Sequence, residues 1–141
     1  MADTRTAPSH STPSDSIAVT VVIPTRNEAR HLARCLEAIR RFSEVYVVDS
    51  QSTDSTVEIA RAFGAEVVQF HYHGGWPKKR QWALDSLPFA NDWVLLLDAD
   101  EVLTPDLGDE IGEAIRDPNL TGYRVFLRIN FLGRELRFGG N

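Results

Sequence analysis

The stretch that decides the fold reads Trp93-Val94-Leu95-Leu96-Leu97-Asp98-Ala99-Asp100-Glu101. Its unbroken apolar run predicts a strand buried on both faces, as in a parallel sheet flanked by helices. Such sheets bind their ligands beyond the carboxyl ends of the strands, which is where these acids lie. Side chains two residues apart on a strand share a face and lie roughly 6–7 Å apart. Asp98 and Asp100 could therefore touch two parts of one extended ligand.

The acids in this stretch favour a metal ion. Clustered carboxylates repel one another and resist dehydration, so they favour a hard divalent cation such as those that bind phosphates. The stretch thus predicts a metal-assisted site for a phosphate-bearing substrate. In the alternative interpretation, Asp98 and Asp100 only cap the helix that follows. Thr104 already supplies a cap for that helix, which favours the ligand interpretation.

The composition narrows the class of protein. A chain of 141 residues, 43% hydrophobic and 25% charged, is long enough for one globular domain with a real core. Its net charge of −5 argues against nucleic acid as the main partner. The single Cys35 excludes an internal disulfide and a multi-cysteine metal site. No apolar run approaches the roughly 20 residues that a membrane span requires.

The order of the segments predicts an α/β fold. Residues 1–16 are rich in Ser, Thr, Pro and Asp and are expected to form a flexible tail, which leaves residues 17–141 as the domain. Further strands are predicted at residues 17–23, 44–48 and 65–70, each followed by a loop and a helical pattern. Strand–helix repeats of this kind predict a mostly parallel sheet with right-handed crossovers.

The ends of these elements carry their own predictions. Asn27 is expected to cap the first helix, and Thr53 or Asp54 the second. Residues 123–131 alternate between apolar and polar, which predicts a long strand with one apolar face. Gly133-Arg134 separates them from residues 135–138, which indicates a C-terminal β-hairpin.

Asp49 ends the second predicted strand and could accept hydrogen bonds from a base or a ribose. A turn-forming aspartate before Ser50 is about equally plausible from the residue alone, but the presence of Asp98 at another strand end favours the ligand. Lys78, Lys79 and Arg80 form a plausible diphosphate clamp. At least one of these three is instead expected to be a solvated helix start, and Arg26 carries the same ambiguity.

The histidines and tryptophans of the following loop allow weaker predictions. His71 and His73 have a spacing that could hold zinc, but no third ligand stands out, so surface histidines are favoured. Trp76 and Trp82 could stack on a base or a sugar, and core packing explains them at least as well.

Several stretches together resemble the family 2 glycosyltransferases, which are inverting enzymes with a Rossmann-like, GT-A-like nucleotide-diphospho-sugar transferase fold. The stretches that carry the resemblance are residues 21–28 (VVIPTRNE), 47–54 (VVDSQSTD), 79–84 (KRQWAL) and 95–101 (LLLDADE). Residues 75–84 and 131–134 are similar to the lipopolysaccharide core β-glucosyltransferase-like proteins. Gln81 replaces the asparagine that is more common at its position in the family.

The resemblance implies a role for each matching residue. It places in the nucleotide-binding site Pro24, Arg26, Glu28, Asp49, Arg80 and Asp98. Asp49 would hydrogen-bond the base, Asp98 would contact the ribose side, and Arg80 would approach the nucleotide or its phosphates. Asp100 would be the catalytic metal ligand, binding a Mg²⁺ or Mn²⁺ ion that bridges the diphosphate.

The implied reaction is transfer of a sugar, glucose by the finer resemblance, from a UDP-sugar to a glycolipid or lipopolysaccharide-core acceptor. The general base and the acceptor-binding segments of such enzymes lie downstream of the positions present here, so we expect a truncated, donor-binding part of the enzyme. The expected location is the cytoplasm, including the inner face of the cytoplasmic membrane as a peripheral protein, with no nucleic acid partner.

Two other functions fit parts of the sequence. A haloacid dehalogenase-like phosphatase would use Asp98 as nucleophile and Asp100 as acid/base, but such proteins usually carry this motif on an early strand. A non-catalytic nucleotide-binding remnant is the other alternative.

Overall fold

The computed structural model describes residues 15–131 and 134–136, which form an α/β fold. Its elements are β1 (Ile17–Thr25), α1 (Ala29–Ala38), β2 (Phe42–Asp49), α2 (Thr56–Ala62), β3 (Glu66–Gln69), α3 (Lys79–Ser86), β4 (Trp93–Leu96), α4 (Pro105–Ala114), β5 (Ile129–Phe131) and β6 (Arg134–Leu136). All but the last two residues of the predicted tail, 1–16, lie outside the described residues. Within the described ranges, no helix has the length and apolar content to cross a membrane.

Strands β1 to β4 form one parallel sheet in the order β3-β2-β1-β4. Register places Val22 of β1 beside Tyr46 of β2 and, on its other side, beside Leu96 of β4. The carboxyl ends of β1, β2 and β4 therefore meet at one edge. The predicted parallel sheet is confirmed.

The core lies on both faces of β1. Val21 and Ile23 are fully buried against Leu32 and the rest of a cluster that α1, α2 and α4 cover on one face. Val22 packs on the other face in a second cluster that includes Ala83 of α3. Burying side chains of this size contributes about 1.5–3 kcal/mol each, so β1 is the centre of the hydrophobic stabilisation.

Strand β4 departs from its prediction. It was expected to be buried on both faces, but within the described sheet it is the edge strand beside β1. Trp93, Val94 and Leu95 are only partly buried, and Leu96 is 39% exposed. An apolar run specifies burial but not position in the sheet, so the sequence could not distinguish an edge from a centre.

The C-terminal hairpin is present but shorter than its pattern predicts. Ile129 pairs with Leu136 and Phe131 with Arg134 in an antiparallel ladder. Residues 123–128 were expected to belong to this strand, but they are not part of a strand in the structure. Alternation places side chains on two faces without supplying a backbone hydrogen-bond partner, and a strand needs both. Residues 132–133 and 137–138 of the predicted hairpin lie outside the described residues.

One carboxylate accepts from the first backbone N–H of two helices. Asp54 Oδ1 accepts from the Thr56 N–H of α2 (3.0 Å), and its Oδ2 accepts from the Ala29 N–H of α1 (3.1 Å). The N-cap positions are Ser55 for α2, where Thr53 or Asp54 was predicted, and Glu28 for α1, and neither side chain makes a capping hydrogen bond. The prediction that Asn27 caps α1 is wrong. Asn27 has a left-handed φ of 55°, and its Oδ1 accepts instead from the Thr53 N–H (2.8 Å).

The predicted start of α4 is confirmed and testable. Thr104 Oγ1 accepts from the Leu107 N–H (3.3 Å), and Pro105 occupies the first turn, where it costs no hydrogen bond. Thr104→Ala is expected to lower the free energy of unfolding by about 1 kcal/mol, measured by urea denaturation. Thr104→Ser retains a hydroxyl and is the control. Equal losses in the two variants would show that the hydroxyl does not stabilise the helix.

Candidate functional site

The sheet brings the acids that end two strands to one surface, as the sequence predicts. Thr25 at the end of β1 lies beside Asp49 at the end of β2. Beyond β4, the Leu97 N–H donates to Val22 O (3.1 Å), so the chain stays beside β1 up to the residue before Asp98. We call the residues that follow these strands, 25–28, 49–54 and 98–101, the strand-end surface.

Asp49 is fully buried, and its carboxylate accepts four hydrogen bonds from other residues of the chain. Its Oδ1 accepts from Thr25 Oγ1 (2.8 Å) and Ser52 Oγ (2.5 Å), and its Oδ2 accepts from Ser52 N (2.9 Å) and Gln69 Nε2 (3.0 Å). Burial alone would raise the pKa of Asp49, but these hydrogen bonds to the charged form outweigh burial and lower the pKa. The carboxylate therefore fixes the loop after β2. Direct contact with a base stays a prediction and would require one of these bonds to be released.

The loop after β2 in turn holds the loop after β1. The Asn27 N–H donates to Ser52 Oγ (2.8 Å), and the Glu28 N–H donates to Thr56 Oγ1 (2.9 Å). Pro24 and Glu28 are partly buried, and Arg26 is exposed on this loop. Of the three predicted nucleotide-site residues of this segment, Pro24 thus lies near the end of β1, and Arg26 and Glu28 lie on the anchored loop that follows it.

Helix α3 extends two consecutive cations toward two different strand ends. Lys79 Nζ donates to Thr25 O (2.7 Å) at the end of β1. Arg80 Nη2 forms an ion pair with Asp98 Oδ1 beyond β4. The sequence predicted Arg80 as a site residue but did not separate Lys79 from Lys78. The signal was present in the helical spacing: Lys79 lies four residues before the fully buried Ala83, and residues at that spacing share a helix face.

The acidic stretch beyond β4 is a turn in which each acid has a different environment. Glu101 Oε2 accepts from the Asp98 N–H (2.8 Å), and the Glu101 N–H donates to Asp98 O (3.0 Å). Asp98 is also paired with Arg80, whereas Asp100 is exposed. Asp100 is thus the acid of this turn most available to a ligand.

Cys35 packs beneath the same turn. Its Sγ donates weakly to Asp98 O (3.7 Å), and the side chain is fully buried. Burial, reinforced by the negative charges of Glu101, Asp100 and Asp98, raises the pKa of Cys35 to about 12. The thiol therefore stays protonated and serves as packing rather than as a nucleophile.

The described residues contain no group of three or more His, Cys, Asp or Glu side chains arranged to hold a metal ion. His71 and His73 are both exposed, which supports the surface interpretation over zinc. Asp100 still fits a Mg²⁺ or Mn²⁺ ion that arrives with a diphosphate. Mg²⁺ is commonly held by one or two carboxylates, with substrate phosphates and water completing its shell.

The two tryptophans have separate environments. Trp82 packs against Phe70 with ring centroids 5.2 Å apart, in the cluster behind β2. Trp76 is 73% exposed. Core packing therefore explains Trp82, and Trp76 is the one of the two that a ligand could reach.

A cavity of about 700 Å³ lies away from these acids, at the amino end of β1. Arg41 lies on its rim and pairs with Asp15 (2.8 Å) and Asp109 (2.6 Å). The two carboxylates thus engage the guanidinium of Arg41, and none of the strand-end residues lines the cavity.

The family model for Glycosyl transferase family 2 matches residues 20–133. This chain belongs to that family. It is 36% identical over 121 residues to an uncharacterized glycosyltransferase of Rickettsia prowazekii, covering 83% of this chain and 40% of the relative. It is 30% identical over 112 residues to the lipopolysaccharide core biosynthesis glycosyltransferase LpsC of Rhizobium meliloti. That match covers 76% of this chain and 41% of the relative. The chain thus spans about 40% of the length of these relatives.

Solved glycosyltransferase structures confirm the fold. Mannosyl-3-phosphoglycerate synthase from Rubrobacter xylanophilus superposes with a TM-score of 0.53 at 29% identity, covering 64% of this chain and 33% of that protein. Glucosyl-3-phosphoglycerate synthase from Mycobacterium tuberculosis was solved with Mn²⁺, UDP and phosphoglyceric acid. It superposes with a TM-score of 0.51 at 26% identity, covering 61% of this chain and 34% of that protein. The predicted α/β, GT-A-like fold is therefore correct.

Proposed function

We propose that this family 2 chain is the donor-binding part of an inverting enzyme that transfers glucose from UDP-glucose to a lipopolysaccharide-core or other glycolipid acceptor. The observation that carries the proposal is the convergence of Lys79, Arg80 and the exposed Asp100 on one edge of a parallel sheet. The similarity to LpsC supports the acceptor class. The solved structure with UDP and Mn²⁺ supports the donor and the metal.

The charges of this surface suit a nucleoside diphosphate. The proposed nucleotide site comprises Pro24, Arg26, Glu28, Asp49, Arg80 and Asp98. Asp49 and Asp98 lie at different strand ends, so a ligand that spans them must be extended. Arg80 brings a positive charge to Asp98, which lowers the repulsion that an isolated carboxylate would exert on a phosphate.

Asp100 is the residue that would hold the metal. A Mg²⁺ or Mn²⁺ ion bound there would neutralise the charge that develops on the UDP leaving group. The acceptor hydroxyl also needs a general base, usually a carboxylate, and we assign that role to none of the described residues. We place the reaction in the cytoplasm, at the inner face of the membrane, where a peripheral enzyme would meet a glycolipid acceptor.

Titration calorimetry with UDP tests the proposal. We expect the chain to bind UDP in the presence of Mn²⁺ and to lose most of that affinity when EDTA removes the metal, because Asp100 and the diphosphate would share the ion. Addition of UDP-glucose and a lipopolysaccharide-core acceptor should then release UDP.

Three results would contradict parts of this proposal. If the chain does not bind UDP, the proposed nucleotide site is wrong. UDP binding without transfer would support a non-catalytic remnant. Release of phosphate from simple phosphoesters without UDP would support a phosphatase, although Asp98, its required nucleophile, is engaged by Arg80 in this structure.

A further inference from the structure

Lys79 and Lys78 are adjacent in the chain but have different environments. Lys78 is exposed and precedes α3, whereas Lys79 is partly buried on the helix face that carries Ala83. The Lys79 ammonium lies 2.7 Å from Thr25 O, at the end of the central strand. It is therefore held at the strand-end surface and does not extend into solvent.

The charge of Lys79 is incompletely compensated. Within the described ranges, no carboxylate lies within 4.0 Å of its Nζ, and Thr25 O is its hydrogen-bond acceptor. Burial lowers the pKa of Lys79, Asp49 opposes this shift by attraction, and Arg26 adds to it by repulsion. Asp49 itself is saturated by four hydrogen bonds. An ammonium has three N–H donors, so two remain for a ligand.

The position of Lys79 indicates which part of the ligand it would meet. Arg80 and Asp98 lie beyond β4, on the same turn as Asp100. Lys79 lies at the ends of β1 and β2, next to Asp49. If the diphosphate and its metal lie at Asp100, as the proposed function requires, an extended nucleotide places its base toward Lys79.

We propose that Lys79 determines nucleobase specificity by donating a hydrogen bond to the 4-carbonyl oxygen of uracil. An ammonium can only donate. It pairs with the 4-carbonyl of uracil but meets another donor in the 4-amino group of cytosine. Opposite the 4-amino group, the partly buried ammonium loses a hydrogen bond and gains none, so uracil should be preferred.

Competition between UDP and CDP tests this inference, because the two ligands share their ribose and diphosphate. With Mn²⁺ present, the wild-type chain should bind UDP at least about tenfold more tightly than CDP. Lys79→Met should weaken UDP binding roughly 10- to 100-fold and change CDP binding little, which removes the preference. Lys79→Arg remains a donor and should retain it. Lys78→Met removes the same charge outside the site and should behave as wild type.

The outcomes separate this inference from the function on which it rests. A wild-type chain that binds neither nucleotide would contradict the proposed function. A wild-type chain that binds both equally would overturn the role of Lys79 without any variant. Equal weakening of UDP and CDP by Lys79→Met would also overturn it, since that result assigns Lys79 to the shared phosphates. Urea midpoints of all variants identify any loss that comes from unfolding.

Discussion

Asp49→Asn is expected to lower the free energy of unfolding by about 3 kcal/mol. The carboxylate accepts four hydrogen bonds in a fully buried position. An asparagine retains one acceptor oxygen but turns its amide N–H₂ toward groups that also donate. Hydrogen bonds to charged groups contribute about 1.5–3 kcal/mol, and buried donors without partners add a desolvation cost. Urea denaturation at neutral pH measures the loss.

The same bonds predict a dependence on pH. Because folding lowers the pKa of Asp49 below its ordinary value of 3.8, its contribution is complete above that value and is lost as pH falls through the folded pKa. Wild-type and Asp49→Asn stabilities should therefore converge as the pH falls below about 4.

Thr25→Val is the matched control for Asp49→Asn. It removes one of the four bonds and leaves the carboxylate in place, so it should cost about 1 kcal/mol. If Asp49→Asn cost no more than Thr25→Val, or if its effect were the same at every pH, Asp49 would not be the charged centre of this loop.

Asp100→Ala is expected to weaken UDP binding in the presence of Mn²⁺ by roughly 100-fold or more, with little change in stability. Loss of even an outer-shell partner of a metal ligand costs about 10–100-fold in metal affinity, and a direct ligand should cost at least as much. Asp100 is exposed, so its removal should leave the core intact. Calorimetry with and without Mn²⁺ measures the metal-dependent part of the affinity.

Asp106→Ala controls for the loss of one negative charge near the same surface. Asp106 lies in the first turn of α4, is exposed and has no proposed contact with the nucleotide. The Asp106→Ala variant should bind UDP and Mn²⁺ as the wild type does. Unchanged metal dependence in Asp100→Ala, or equal losses in both variants, would remove Asp100 from the role of metal ligand.

Local patterns in the sequence were sufficient for much of the fold. The β-branched run from Ile17 predicted β1, and the alternation of strand and helix predicted a parallel sheet, because handedness and crossover rules leave few other topologies. Thr104 and Pro105 predicted the start of α4 from the chemistry of the first turn alone. The sequence also predicted that the acids at the ends of β2 and β4 lie on one surface, because the carboxyl ends of parallel strands share one edge of the sheet.

Contacts between distant residues decided the rest. Asn27 was a reasonable helix cap by residue type, yet it is Asp54 from the next loop that accepts from the first N–H of α1, because packing brings the two loops together. The apolar run of β4 predicted a buried strand, and the sheet order placed it at an edge.

The stretch Leu97-Asp98-Ala99-Asp100 determined by itself that acids follow a strand, and with the other motifs it indicated the family. The tertiary structure gave each acid a separate environment by pairing Asp98 with Arg80 and leaving Asp100 exposed. It also directed Lys79, rather than Lys78, to the end of β1. The physical reason is that charge and burial at a site depend on through-space neighbours, whereas residue type and spacing determine only local conformation.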